Sequence, residues 1–128
     1  MTDQKTVLIA EDDRDSAEML QEMLTMQGYR VEVVGVARAT IGAIASKRFD
    51  AVILDLTMPG MSTDELVTEI MRLERSSPLV VFSARPEFEV AMMASRLNAE
   101  AVLKKPVDMD ELLQTLSRVV HSSRGDTI

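Results

Sequence analysis

Short apolar runs in this chain break off at residues able to do chemistry. Val7–Ala10 is followed by Glu11, Asp12 and Asp13, and Ala51–Leu54 by Asp55. Leu79–Phe82 is followed by Ser83, and Ala101–Leu103 by Lys104 and Lys105. Carboxylates gathered within a few ångström repel, so a site built from them must raise a pKa or recruit a cation. The ligands on offer are oxygens, with no cysteine in the chain and no histidine near these positions. That set favours a hard divalent ion, and Mg²⁺ typically takes one or two carboxylates together with water and phosphate oxygens. Beside such an ion, a desolvated Asp55 is a candidate nucleophile toward a phosphoryl group. The transferred group then needs its equatorial oxygens neutralised. The cation can take one, Lys105 a second, and Ser83 Oγ with backbone N–H groups the rest.

These side chains can cooperate only if the elements carrying them end side by side. Thr6–Ala10, Ala51–Leu54 and Leu79–Phe82 are continuous and rich in β-branched residues, as expected of strands covered on both faces of a parallel sheet. Tyr29–Val34 alternates around Glu32, which suits a less buried edge strand, and Ala101–Leu103 is a shorter strand that must stop by Pro106. Between them the apolar period becomes helical. Ala17, Leu20, Met23 and Leu24 mark a helix over Arg14–Gln27, with Gly28 just past its end. Ala39–Lys47 predicts a weaker helix with Ile41, Ile44 and Ala45 inward. Ser62 and Glu65 have capping-box spacing ahead of Leu66, Ile70 and Leu73. Pro86 or Glu87 opens a helix with Val90, Met93 and Leu97 on one side, and Asp108 opens one with Leu112, Leu116 and Val119 inward. The alternation predicts an α/β fold: a doubly wound, five-stranded parallel sheet of order 2-1-3-4-5 with helices on both faces. Ligands of such sheets bind beyond the strand C-termini at the point where strand order reverses, between the first and third strands. Glu11, Asp12, Asp13, Asp55, Ser83 and Lys105 are therefore expected to converge there.

Composition narrows the functions available. The 128 residues suit one domain, expected over 1–122 with a disordered polar tail at 123–128. A net charge of −7 argues against affinity gained by neutralising a nucleic-acid backbone. The aromatics Tyr29, Phe49, Phe82 and Phe88 are too few for base-stacking platforms. No apolar run approaches the roughly 18 residues of a membrane span, and the first residues carry no signal-peptide pattern. Absence of cysteine excludes disulfides and thiolate chemistry and is compatible with a cytoplasmic protein.

Taken together, the segments VLIAEDD (7–13), FDAVILDLTMPG (49–60), VVFSA (80–84) and LKKP (103–106) resemble the receiver domains of bacterial two-component response regulators, a flavodoxin-like fold. The resemblance runs from Thr6 to Val120. It implies that Asp55 is the phosphoacceptor and that Asp12 ligates Mg²⁺ directly, with Glu11 helping through water and the Thr57 carbonyl as a further ligand. It implies that Ser83 and Lys105 contact the phosphoryl group and that the Lys105–Pro106 bond is cis. The donor would be a phosphohistidine on a partner histidine kinase or phosphotransfer protein. Output would run through the face formed by the fourth helix, fifth strand and fifth helix, toward an effector domain or downstream protein.

The chain departs from that pattern at several positions. Val102 stands where receivers often carry Tyr or Phe, Asn98-Ala99 replaces the usual Gly-Ala, and Ser62-Thr63 replaces the frequent Asp-Gly. Thr57 and Arg85 occupy positions that tune phosphate hydrolysis in the family. Two other readings use the same residues. Asp55-Leu56-Thr57 is similar to the nucleophile loop of haloacid-dehalogenase phosphohydrolases, although that family places the nucleophile after its first strand and a second Asp where Thr57 stands. A receiver-like binding module that works without phosphorylation is the other. Plainer roles are expected for Asp13 as a helix cap, Lys104 as a surface lysine, His121 as a helix-end residue, and most methionines as core fillers.

Overall fold

The computed structural model describes residues 4–74 and 76–122, so the tail expected at 123–128 lies outside the described residues. Strands β1 (Thr6–Ala10), β2 (Arg30–Val34), β3 (Ala51–Asp55), β4 (Leu79–Ser83) and β5 (Ala101–Lys104) alternate with helices α1 (Arg14–Met26), α2 (Ala37–Ser46), α3 (Thr63–Met71), α4 (Glu87–Leu97) and α5 (Met109–Ser122). All strand pairs are parallel, in the order β2-β1-β3-β4-β5, with Ile9 beside Ile53 and Ile53 beside Val80. The three apolar strands occupy the centre. The alternating strand β2 lies at one edge, where Lys47 pairs with Glu32 across exposed surface.

The period of two along the strands divides the interior into two layers. Val7, Ile9, Ala51, Ile53, Val80, Phe82 and Leu103 face α1 and α5, meeting Leu20, Leu24, Leu112, Leu116 and Val119. Leu8, Ala10, Val52, Leu54, Leu79 and Val81 face α2, α3 and α4. Each fully buried Leu, Ile, Val or Phe contributes about 1.5–3 kcal/mol relative to exposure, so the strand centres dominate the driving force for folding.

Local signals fix the helix ends. Asp13 caps α1 through Ser16 N–H, and Gly28 follows it at φ 94°. Ser62 and Glu65 form the complete capping box of α3, Asp108 accepts from Glu111 N–H at the start of α5, and Asn98 closes α4 in the left-handed region. Two expectations fail. Helix α2 starts at Ala37, earlier than its sequence pattern indicates, with Ala37 N–H bonded to the Pro59 carbonyl. Its buried face is Ala37, Thr40 and Ile44, while Ala45 points to solvent. The polar Thr40 is accommodated because its hydroxyl donates to the Val36 carbonyl within the helix. The methionines divide: Met58 is buried and Met61, Met93 and Met109 pack against the core, while Met19, Met26, Met71 and Met92 are exposed.

Candidate functional site

Strand order reverses at β1 and β3, and the strand C-termini open there into a cleft of about 400 Å³. Alternation decides what reaches it. Glu11 continues the Val7–Ile9 face and Asp55 the Ala51–Ile53 face, so both carboxylates emerge on the α1/α5 side. Lys105 follows Leu103 of that same face and folds back over the strand ends. Its Nζ stands 2.8 Å from Glu11 Oε1 and 3.3 Å from Asp55 Oδ2. Glu11 and Asp55 are almost fully buried, whereas Asp12 is exposed at the rim. One oxygen from each of the three carboxylates fits within a 4.8 Å spread.

Backbone groups hold the carboxylates in place. Thr57 N–H donates to Asp55 Oδ1 at 2.9 Å, and Asp13 N–H donates to Glu11 Oε2 at 3.0 Å. Glu11 Oε1 is buried and is met by the Lys105 ammonium at hydrogen-bonding distance. Burial, reinforced by the Glu11 charge, holds the Asp55 carboxyl above the usual carboxylate range, against the opposing pull of Thr57 N–H and Lys105. Burial works against the charged amine of Lys105, but Glu11 and Asp55 outweigh it and hold it above its ordinary value. The donor set therefore fits a hard cation: oxygen ligands, repulsion between the carboxylates, and an exposed side open to water.

Ser83 behaves differently from the other convergent residues. It follows Leu79 and Val81 on the α4 side of β4, and its Oγ accepts from Arg85 N–H at 3.0 Å. It lines both the carboxylate cleft and a second cleft of about 370 Å³ between α4 and β5, where Val102 is exposed. Asp13 serves as a cap, Lys104 is exposed, and exposed His121 contacts the Ser117 carbonyl through Nδ1. The Lys105–Pro106 bond is cis.

The reach of Arg85 is absent from the sequence reading. Its guanidinium donates to Thr57 Oγ1 at 3.1 Å and Thr63 Oγ1 at 2.6 Å, and pairs with Glu89 at 3.0 Å. Thr63 Oγ1 in turn donates to the Leu56 carbonyl. One side chain thus ties the loop after β3 to the loop after β4. The signal available was only an arginine two residues beyond Ser83; which hydroxyls it reaches depends on how the loops fold.

A parallel sheet of this order, with acidic residues after β1, an Asp ending β3 and a Lys after β5, defines a class of signalling domain. The family model for the response regulator receiver domain matches residues 7–117, and the chain belongs to that family. It is 34% identical over 122 residues to the sensory/regulatory protein RpfC of Xanthomonas campestris pv. campestris, covering 92% of this chain and 17% of that protein. It is 30% identical over 120 residues to response regulator MprA of Mycolicibacterium vanbaalenii, covering 94% of this chain and 52% of that protein. The chain thus spans about half, or far less, of these curated relatives. Among solved structures, the receiver domain of sensor histidine kinase PA1611 from Pseudomonas aeruginosa PAO1 superposes with a TM-score of 0.82 at 23% identity, over 94% of this chain and 100% of that one. That domain holds a magnesium ion in its active-site cleft. No helix among the described residues is long and apolar enough to cross a membrane.

Proposed function

We propose that this chain accepts a phosphoryl group on Asp55 from a phosphohistidine of a partner histidine kinase or phosphotransfer protein. In the transfer, an Asp55 carboxylate oxygen bonds to phosphorus as the P–N bond breaks, and its electron pair stays on the partner's imidazole. The observation that carries the reading is the Lys105 ammonium held between Glu11 and Asp55, beside three carboxylates close enough to share one cation. Asp12, Asp55 and the Thr57 carbonyl would hold Mg²⁺, with Glu11 acting through water. When bound, the ion neutralises carboxylate and phosphoryl oxygen charge.

The chain's own residues do the rest. Thr57 N–H fixes the Asp55 oxygen that does not attack, and Lys105 exchanges a carboxylate contact for a phosphoryl oxygen. The Ser83 hydroxyl moves from Arg85 N–H toward the new oxygens. Phosphorylation adds roughly −1.5 to −2 charge at Asp55. Because Ser83 lines both clefts, its movement alters the α4–β5 cleft, and the α4–β5–α5 face is the surface read by an effector domain or downstream protein. With Val102 in the place of a large ring, the packing of α4 against β5 carries this change. The functional unit is the receiver fold over 1–122, in the cytoplasm alongside its donor.

Acetyl phosphate with Mg²⁺ provides the test. Intact mass should show one phosphoryl group per chain, absent with chelator and absent in Asp55→Asn. No label on folded wild type would refute the reading, and many turnovers per chain on generic phosphate esters would favour a hydrolase instead.

A further inference from the structure

We infer that the aromatic ring of Phe82 is a positioning element for the Lys105 ammonium; the inference rests on the proposed role of Asp55 and Lys105. Phe82 sits directly beside Asp55 in the β3–β4 register, and both belong to the α1/α5 side of the sheet. Its ring is 2% exposed, and Lys105 Nζ lies over it at 4.8 Å from the centroid. A cation within about 6 Å of a ring centroid is attracted by the negative face of the ring. The ammonium is thus held by three contacts: two carboxylates and one ring.

The ring contact differs from the other two in a way that matters for phosphoryl capture. Glu11 and Asp55 change their interactions when a cation binds and when the acceptor is esterified. The ring face carries no net charge, accepts no proton and ligates no hard cation, so its pull on the ammonium persists through those changes. Lys105 otherwise has a flexible four-carbon stem that costs entropy to hold. Phe82 limits that freedom and keeps Nζ where the incoming oxygens arrive. A leucine would fill much of the same space but offer no attraction for the charge.

Site-specific incorporation of 4-fluoro- and 3,4,5-trifluorophenylalanine at position 82 weakens the negative face stepwise while nearly preserving shape. In the full chain with Mg²⁺ and acetyl phosphate, the labelling rate should fall in order of fluorination, by about three- to tenfold for the trifluoro ring, at an unchanged unfolding midpoint. Phe82→Leu should lose at least as much as the trifluoro ring. Independently of activity, proton NMR should place the Lys105 ε-methylene upfield of that of exposed Lys104, with the displacement lost in Phe82→Leu. A flat rate across the fluorinated series with wild type labelled, or a Lys105 ε-methylene indistinguishable from that of Lys104, would overturn the role of Phe82 alone. A folded wild type that takes no label would overturn the Asp55 reading and this inference with it.

Discussion

Asp50 and Asp55 stand at opposite ends of β3, and their surroundings drive them in opposite directions. Burial pushes the Asp50 carboxyl up, but Thr6 N–H, Arg48 and Lys5 together pull harder, leaving it below the usual carboxylate value. Its contribution to stability is therefore present above the ordinary value and lost as pH falls through the lower folded one. Asp50→Asn should cost about 1–2 kcal/mol at neutral pH, with the difference vanishing in strong acid, as read by urea unfolding across pH. For Asp55 the sign reverses. Burial and the Glu11 charge raise its folded value, so its contribution is complete below the ordinary carboxylate value and lost as pH rises through the raised one. In chelator, Asp55→Asn should stabilise the fold at neutral pH by about 1 kcal/mol while abolishing phosphorylation, and the gain should disappear in acid. Equal stability of the two proteins at neutral pH would contradict the electrostatics described for the cleft.

At the scale of elements, the site depends on how two loops are tied. Arg85 bridges Thr57 and Thr63, and Arg96 reaches from α4 to Asp64 and Thr68 of α3. Arg85→Ala should release the loop after β3, raising amide exchange over residues 56–63 several-fold and leaving α1 unchanged. Being partly exposed, the ion pair to Glu89 contributes about 0.5 kcal/mol or less to stability. Ser62→Ala removes half of the α3 capping box and should cost about 1 kcal/mol, measured as a shift in unfolding midpoint. Strands and the caps of α1, α3 and α5 were legible in the sequence because each depends on contiguous residues. Helix α2 was less so: Ala37 at its start bonds to Pro59, distant in sequence, and the buried face running through Ala37, Thr40 and Ile44 leaves Ala45 outward. The convergence of Glu11, Asp55 and Lys105 was legible because it follows from strand order and alternation. Phe82 over Lys105 and the hydroxyl partners of Arg85 were not, since they depend on side-chain reach across strands.

For the whole molecule, the sheet keeps two clefts on separate sides. Its α1/α5 side delivers Glu11, Asp55, Phe82 and Lys105 to the carboxylate cleft, and its α4 side carries Ser83 and the cleft beside Val102. Ser83, at the end of β4, borders both. Under the proposed function, a phosphoryl group captured on one side would be sensed on the other through this strand end. The backbone NMR spectrum of the folded chain with Mg²⁺, before and after addition of beryllofluoride as a phosphoryl mimic, tests that arrangement most directly. Shifts should appear at residues 11–13, 55–57 and 105, and extend through Ser83 and Arg85 to Val102 and the first turn of α4, all absent in Asp55→Asn. A folded protein whose spectrum is unchanged around Asp55 and Lys105 would contradict the account.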